Sequence, residues 1–320
     1  MTDYIFSVAR IRELENELLT DSETAWLIEA KNIGEAVLSL YAGTKERSDT
    51  ADPYDLIKKE KLRAWETVSA LSCDSIEIKS LTIQNDFHNL KAALKSIVTG
   101  TEPEGLYIFP TVTDTHTLFE NIRDRRFYEL PEYMQASAEI GYSVLAETKN
   151  GQSLDTFLDR ETLTLLRETA KKSKSEMYKR YIDFFIAMSD IKIAYRGMKA
   201  GKGEKFFLSA ICGSDEIERE TLSKAASNGE QSLFELIEAS TYRKAAEQLR
   251  KAPSLFERFA DDELTRITES AKTESFSVDP CFAYYCAKLT EIKNIGIILT
   301  CKRYGASNDM ITERLRKAYV

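Results

Sequence analysis

Three stretches of the chain repeat one pattern at intervals of 104 and 101 residues. They read DFHNLKAALKSIVTG from Asp86, DIKIAYRGMKAGKG from Asp190 and EIKNIGIILTCKRYG from Glu291. Each begins with a carboxylate, carries apolar residues one, four and eight positions later, and then reaches a glycine. Apolar residues at that spacing line one face of an α-helix, so each stretch predicts an amphipathic helix that ends at glycine. A chain built on such copies is constrained to a helical fold.

The repeat motif consists of the opening carboxylate, an asparagine three positions later and the closing glycine. Its members are Asp86, Asn89, Gly100, Asp190, Gly203, Glu291, Asn294 and Gly305. The middle copy departs from the motif, because Ile193 stands at the asparagine position. The carboxylate suits the positive end of a helix dipole if the helix begins there, and is an interior polar position if the helix begins earlier. The intervals predict three similar helical domains over residues 1–122, 123–224 and 225–320.

The second copy ends in AYRGMKAGKGEKFF, residues 194–207, whose three glycines and three lysines resemble a phosphate-binding loop. Such a loop requires two glycines separated by four residues and a Ser or Thr after the lysine. Here three residues separate Gly197 from Gly201, and Gly203 follows Lys202. The stretch is therefore interpreted as the end of a helix and its exit loop, where glycine allows the chain to turn.

The composition favours a helical, cytosolic protein without membrane spans. Glycine and proline number only 13 and 6 in 320 residues, so few residues break helices. The formal net charge of −8 weighs against nucleic acid as the main partner. No apolar run approaches the roughly 18 residues of a transmembrane helix, and the N-terminal stretch lacks the apolar core of a signal peptide. The five cysteines form no C-x-x-C pair, so we expect reduced thiols.

No set of residues predicts catalysis, and we expect neither a cofactor nor a metal site. The chain has two histidines, His88 and His116. His88 lies inside the first copy, but the other copies have Lys192 and Lys293 at that position, which argues against a proton relay. Paired carboxylates such as those at 261–262 could bind a cation, but a solvated helix face is the simpler interpretation.

Two regions are candidates for contact with a partner. Residues 43–65 form a polar segment that leads into a basic helix and could touch a partner or an anionic membrane surface, although a plain surface loop is the simpler interpretation. The C-terminal stretch from Cys301 contains five basic and two acidic residues. Four of its basic residues are candidate partner contacts: Lys302, Arg303, Arg314 and Arg316. Pairing of these cations with helix ends is the structural alternative.

The three copies resemble the C subunit of the bacterial and archaeal V/A-type ATPases, which is similar to the d subunit of the eukaryotic V-ATPases. The resemblance is carried by NDFHNLKAALK from Asn85, FIAMSDIKIAYRG from Phe185 and EIKNIGIILTCKRYGASNDMITERL from Glu291. It extends over nearly the whole chain, because the spacing of all three copies fits. The sequence departs from the pattern at Ile193 and in the first copy, which ends without the Arg-Tyr-Gly of the third.

The resemblance implies an all-α fold of three similar domains in a pseudo-threefold, funnel-shaped arrangement. It implies a non-catalytic rotor subunit of a rotary ATPase or ATP synthase, one that couples the central-stalk subunits of D and F type to the membrane proteolipid ring for proton or sodium transport. It also implies a position on the cytoplasmic side, peripheral to the membrane, and a monomer when isolated. Helices packed through apolar stripes would be stiff enough for this role, because protein interiors are close-packed.

Two other functions agree with parts of the pattern. A cytosolic helical-repeat scaffold or adaptor would also be rich in helices, but the period found here exceeds the roughly 34–47 residues that are usual in such solenoids. An enzyme that used the glycine–lysine loop would bind ATP, which titration calorimetry would detect. The coupling protein is therefore the leading hypothesis from sequence.

Overall fold

A computed structural model describes residues 4–41, 53–72, 75–101 and 103–320. Within these residues every regular element is a helix and none is a β-strand, which confirms the predicted all-α class. The α-helices are α1 (Ile5–Glu15), α2 (Asp21–Glu29), α3 (Ile33–Tyr41), α4 (Pro53–Ser72), α5 (Ile76–Lys79), α6 (Ile83–Thr99), α7 (Thr115–Arg123), α8 (Glu132–Thr148), α9 (Gly151–Lys172), α10 (Glu176–Lys199), α11 (Glu204–Ala210), α12 (Arg219–Ser227), α13 (Glu230–Ala239), α14 (Arg243–Lys251), α15 (Pro253–Thr268), α16 (Asp279–Arg303) and α17 (Asn308–Thr312).

The three repeated stretches lie on α6, α10 and α16, which we call the motif helices. Asp86 lies in the first turn of α6, whereas Asp190 and Glu291 lie well inside α10 and α16. The helix-dipole argument for the opening carboxylate therefore applies to the first copy and not to the other two. The predicted apolar stripes face the protein interior, and their buried members are Phe87, Leu90, Leu94, Ile191, Ala194, Ile292, Ile295 and Leu299.

The chain folds into two compact units. Unit 1 comprises residues 1–78 and 252–320, and unit 2 comprises residues 79–251. The first and last parts of the chain therefore share one unit, which contains the motif helix α16. The middle of the chain forms the other unit, which contains the motif helices α6 and α10.

Unit 1 is organised around the 25-residue helix α16. Pro280 suits its first turn, and Lys302 and Arg303 at its last turn complement the negative end of the helix dipole. Helices α1, α3, α4 and α15 pack against α16. An apolar cluster joins α2, α3, α16 and α17 through the buried residues Leu27, Ala30, Ala36, Ile295, Ile298, Leu299, Cys301 and Ile311.

The short helix α2 in unit 1 is held at both ends. Thr20 and Glu23 form a capping box, in which Oγ1 of Thr20 accepts from the Glu23 N–H and the Glu23 carboxylate accepts from the Thr20 N–H at 2.8 Å. At the other end, Nζ of Lys302 donates to the carbonyls of Ile28, at 2.6 Å, and Ala30. These contacts satisfy helix-terminal groups that would otherwise lack partners, so the orientation of α2 is fixed.

Unit 2 is built around four long helices that pack against one another. Helices α6, α8, α9 and α10 contact one another in succession, α11 to α13 pack beside α10, and α14 packs against α13. Ser175 caps α10, because its Oγ accepts from the Tyr178 N–H at 2.9 Å. Large buried aromatic side chains fill the interior, among them Phe87, Tyr178, Phe207 and Phe234.

A glycine in the left-handed region follows each motif helix. Gly100, Gly201 and Gly305 have φ angles of 68°, 67° and 67°, which side chains with a Cβ rarely adopt. Gly203 differs, since its φ is −90° and it is the N-cap residue of α11. In the second copy the left-handed turn is therefore made at Gly201, two residues before the glycine assigned to the motif.

Candidate functional site

Each motif helix uses polar side chains to hold the backbone of a distant segment, and we call these contacts clamps. The segments that follow the motif helices are residues 107–112, 211–215 and 315–320, and we call them exit segments one, two and three. None of them lies in a helix. Backbone N–H and C=O groups outside regular structure still require partners when they are covered, and here side chains supply them.

The clamp on exit segment one is centred on Asn89. Its Nδ2 donates to the Ile108 carbonyl at 2.9 Å, and its Oδ1 accepts from the Ile108 N–H at 2.9 Å. The Asn89 side chain is fully buried, and the amide satisfies both backbone groups of one residue. This two-bond geometry fixes the position and the direction of the segment.

Asp86 holds the same segment one turn earlier on α6. One carboxylate oxygen accepts from the Val112 N–H at 2.9 Å and from the Thr111 hydroxyl, and the other accepts from the Tyr133 hydroxyl at 3.0 Å. Burial raises the pKa of the Tyr133 phenol, and the neighbouring Asp86 carboxylate raises it further. The phenol therefore remains a hydrogen-bond donor, and a fully buried carboxylate has its acceptor positions occupied.

Two further side chains of α6 complete this clamp. Nδ2 of Asn85 donates to the Pro110 carbonyl at 2.7 Å, and Nε2 of His88 lies 3.0 Å from the Leu106 carbonyl. His88 is thus part of the clamp, which agrees with a structural role. The stretch NDFHN at residues 85–89 therefore contributes three contact residues to exit segment one and a fourth, His88, to the residue directly before it.

The clamp on exit segment two uses carboxylates alone. Asp190 accepts from the N–H groups of Cys212, at 3.0 Å, and Gly213, at 2.7 Å, through different oxygens. Two turns earlier on α10, Asp183 accepts from the Asp215 N–H at 2.7 Å. Exit segment two turns sharply at Gly213, where φ is 87°. Since the middle copy has no asparagine, the carboxylate of its motif does the clamping.

The pKa values of these two carboxyls differ from their usual range. Burial raises the pKa of Asp190 to about 6, an effect that the N–H groups of Cys212 and Gly213 and the charge of Arg167 partly offset. Burial also raises the pKa of Asp183. The clamp on exit segment two therefore contains two carboxyl groups whose pKa values burial raises above the ordinary value of an aspartate.

The clamp on exit segment three repeats the amide geometry of the first. Nδ2 of Asn294 donates to the Arg316 carbonyl at 3.0 Å, and Oδ1 accepts from the Arg316 N–H at 2.8 Å. Nε of Arg316 donates to Asp261 at 2.6 Å, and the Lys317 N–H donates to Asp262 at 2.7 Å. Helix α15 therefore holds the C-terminal segment together with α16.

The third motif carboxylate holds a different segment of unit 1. Glu291 accepts from the Leu19 N–H at 2.6 Å and from Nζ of Lys288 at 2.5 Å. Leu19 lies directly before the capping box of α2. All three motif carboxylates thus accept a backbone N–H from a remote part of the chain, although only those of α6 and α10 hold the exit segment.

The clamps position backbone and leave the motif residues with little capacity for a ligand. Their carboxylates and amides are already engaged with N–H, O–H and C=O groups. Within the described ranges, no group of three or more His, Cys, Asp and Glu side chains could hold a metal ion. The arrangement therefore supports a mechanical role for the motif residues.

Comparison with known proteins identifies the family. The sequence profile of the ATP synthase (C/AC39) subunit matches residues 7–314, which is nearly the whole chain. The chain belongs to this family. It is also 25% identical over 266 residues to the C subunit of the V-type sodium ATPase of Enterococcus hirae, with 82% of this chain and 80% of the relative covered. The resemblance to the C subunits of V/A-type ATPases is thereby confirmed.

The C subunit of the V-type ATPase is a non-catalytic, peripheral accessory protein of the complex. Membership in this family confirms the prediction that the chain is not itself an enzyme. In the part of the chain that the structure describes, no helix combines the length and the apolar composition needed to cross a bilayer.

The predicted partner contacts of this C/AC39 family member fall into two groups. Lys302 and Arg316 are half-buried and engaged within unit 1, with helix carbonyls and with Asp261. Arg303 and Arg314 are exposed. Lys302 fits the structural alternative, because its ammonium group pairs with carbonyls at the end of α2. The prediction that these residues contact a partner stays a prediction.

The remaining sequence predictions concern His116, the cysteines and the polar segment 43–65. His116 is exposed and lies 3.7 Å from Glu120. Among the described residues, the cysteines at 212, 281, 286 and 301 form no disulfide, and Cys73 lies outside the described residues. The polar segment 43–65 is described only from residue 53 onward, so its residues 43–52 lie outside the described residues.

Sequence reasoning missed part of the clamps. The pair Asp261–Asp262 was expected on a solvated helix face, and instead it is half-buried and holds exit segment three. Asn85 and Asp183 were not singled out. Asp183 carried one usable signal, because it lies seven residues before Asp190 and therefore on the same helix face.

Proposed function

We propose that this chain is a non-catalytic rotor subunit that couples the central stalk of a V/A-type rotary ATPase or ATP synthase to the membrane proteolipid ring. The observation that carries the proposal is the family match over residues 7–314. The Enterococcus hirae relative is named as part of a V-type sodium ATPase, which supports a role in sodium transport, and the proposal includes protons as the alternative ion.

The proposal includes the partners and the arrangement predicted from the repeat. The partners are central-stalk subunits of D and F type and the proteolipid ring, and the chain lies on the cytoplasmic side, peripheral to the membrane. The domains are residues 1–122, 123–224 and 225–320, arranged as a funnel around a pseudo-threefold axis. Recurrence of a carboxylate or amide clamp on all three motif helices supports a common origin of the three copies.

Stiffness is the physical requirement of this function. An ion that crosses a membrane at 100 mV carries roughly 2.3 kcal/mol, and a coupling piece that bent easily would store this work instead of transmitting it. The clamps join irregular segments to long helices through buried hydrogen bonds. They therefore remove flexible connections at the places where a helical protein would otherwise deform first.

Reconstitution tests the proposed function. We expect the full-length chain to bind the cognate central-stalk heterodimer and, in a separate measurement, the detergent-purified proteolipid ring, both at micromolar concentration or below. Each contact should bury more than roughly 1,000 Å², since smaller interfaces are rarely stable. An unrelated helical protein of similar net charge serves as the control. Absence of binding to both partners at micromolar concentration would overturn the proposal.

A further inference from the structure

The outward side of α2 carries an exposed tryptophan. Ser22, Ala25, Trp26 and Glu29 are all exposed, and their spacing places them on one helix face. The Trp26 side chain is 62% exposed. Leu27 belongs to the apolar cluster of unit 1, and both ends of α2 are capped, so the helix cannot turn to bury the indole.

A neighbouring helix carries another exposed apolar side chain. α17 packs against α2, and Ile311 of α17 lies in the same buried cluster as Leu27 of α2. The neighbour of Ile311 in the chain, Met310, is 48% exposed. Tryptophan is enriched among the residues that dominate binding energy, and methionine adapts its shape to a partner. We call Ala25, Trp26 and Glu29, which share one face of α2, the α2 surface.

The charges on these helices indicate what kind of partner fits. α2 and α17 contain acidic residues and no basic residue, and the exposed acids are Asp21, Glu29 and Asp309. The adjoining chain carries exposed cations at Lys31, Arg303 and Arg314, while Lys302 is engaged with the carbonyls at the end of α2. An indole face beside a carboxylate attracts Arg or Lys through cation–π and ionic contacts.

We propose that the α2 surface docks a partner helix that presents Arg or Lys beside apolar side chains. This inference rests on the proposed function, under which that helix belongs to the central stalk. Trp26 would be the anchor that loses water on docking. Glu29 would accept the partner's cation and speed association, because opposite charges steer encounter.

The test measures affinity of the full-length chain for the purified central-stalk heterodimer. We expect Trp26→Ala to weaken binding at least about tenfold, as for a residue that anchors an interface. Glu29→Lys should lower the association rate several-fold at low salt, and the loss should shrink as salt is added. Phe276→Ala is the matched control, because Phe276 is 75% exposed and lies just before the N-terminal end of α16, whereas Lys302 at the C-terminal end of that helix contacts α2. It should leave affinity within about twofold of wild type.

The outcomes separate this inference from the proposed function. If wild type binds the stalk and both Trp26→Ala and Glu29→Lys bind equally well, the α2 surface is wrong and the rotor function stands. If the two variants lose affinity for the proteolipid ring and keep it for the stalk, the assignment of the partner is overturned. If wild type binds neither, both proposals fall. Both substitutions are at exposed sites, so an unchanged melting temperature excludes misfolding as the cause.

Discussion

The clamps centred on Asn89 in unit 2 and Asn294 in unit 1 have the same geometry and hold very different residues. Each amide makes one bond with the carbonyl and one with the N–H of a single residue, with lengths of 2.9 and 2.9 Å in one case and 3.0 and 2.8 Å in the other. The held residue is Ile108 in unit 2 and Arg316 in unit 1. Because the asparagine amide bonds only to backbone atoms, it does not constrain the side chain of the residue that it holds.

The environments of the two clamps also differ. Asn89 is fully buried, whereas Asn294 is half-buried. The Ile108 side chain is exposed, while the Arg316 side chain points to Asp261 and adds an ion pair to its clamp. Unit 2 thus holds its segment with a fully buried amide, and unit 1 shares the task among a half-buried amide, two carboxylates and a cation. The comparison predicts unequal consequences for equivalent substitutions.

The largest expected effect is the loss of the buried amide. Asn89→Ala removes a fully buried amide and leaves both the Ile108 N–H and the Ile108 carbonyl without it, and should lower the free energy of unfolding by about 3 kcal/mol. Asn294→Ala should cost about 1 kcal/mol, because water can replace the amide at a half-buried site. Chemical denaturation measures both values, and hydrogen exchange at the Ile108 amide should accelerate in the first variant.

Asn85→Ala is the matched control for this pair. It removes one hydrogen bond, to the Pro110 carbonyl, from the same helix and the same segment. Its cost should fall below that of Asn89→Ala. Equal losses for Asn89→Ala and Asn294→Ala would show that burial does not distinguish the two clamps.

The clamp on exit segment two uses the carboxylate of Asp190 where the other two use an amide, so its contribution to the free energy of unfolding should depend on pH. The folded-state pKa of Asp190 is about 6 against an ordinary 3.8, so between these values the folded state binds more protons than the unfolded state. Its contribution to the free energy of unfolding must therefore fall as pH rises through this window. The stability of wild type relative to Asp190→Asn should decrease by about 2 kcal/mol from pH 4 to pH 7.

Urea denaturation at several pH values measures this difference. Asp183→Asn is the companion variant, because burial raises the pKa of Asp183 in the same direction. A difference between wild type and Asp190→Asn that grew with pH would mean that the N–H groups of Cys212 and Gly213 outweigh burial. The clamp would then resemble an ordinary ionised carboxylate site.

The smallest expected effects come from exchanging the held side chains. Ile108→Arg should change the free energy of unfolding by no more than about 0.5 kcal/mol, since the side chain is exposed and the clamp uses only backbone. Arg316→Ile should cost about 1 kcal/mol, because Asp261 then keeps only Lys293 of the two cations that it pairs with at a partly exposed site. Thermal denaturation of the two variants provides the values. A larger loss for Ile108→Arg would show that the amide clamp depends on the residue it holds.

The helices were accessible from sequence and the clamps were not. The stripes around Asp86, Asp190 and Glu291 predicted helices and buried faces, because a period near 3.6 residues is a local property of the chain. The same pattern marked Asn89 and Asn294 as repeated residues. The pattern does not predict that each asparagine binds the backbone of a residue about twenty positions onward. Helical periodicity places a polar side chain on a helix face but does not specify its hydrogen-bond partner.

The sequence alone determined the helical class, the repeat and the family, because these depend on periodicity, on the scarcity of helix-breaking residues and on matched motifs. Tertiary structure decided the rest. It brought the first and last parts of the chain into one unit, turned Asp261 and Asp262 from an apparent surface pair into anchors of the C-terminal segment, and committed Lys302 to the end of α2. These outcomes depend on which remote backbone groups lack partners after packing, and only the folded chain specifies them.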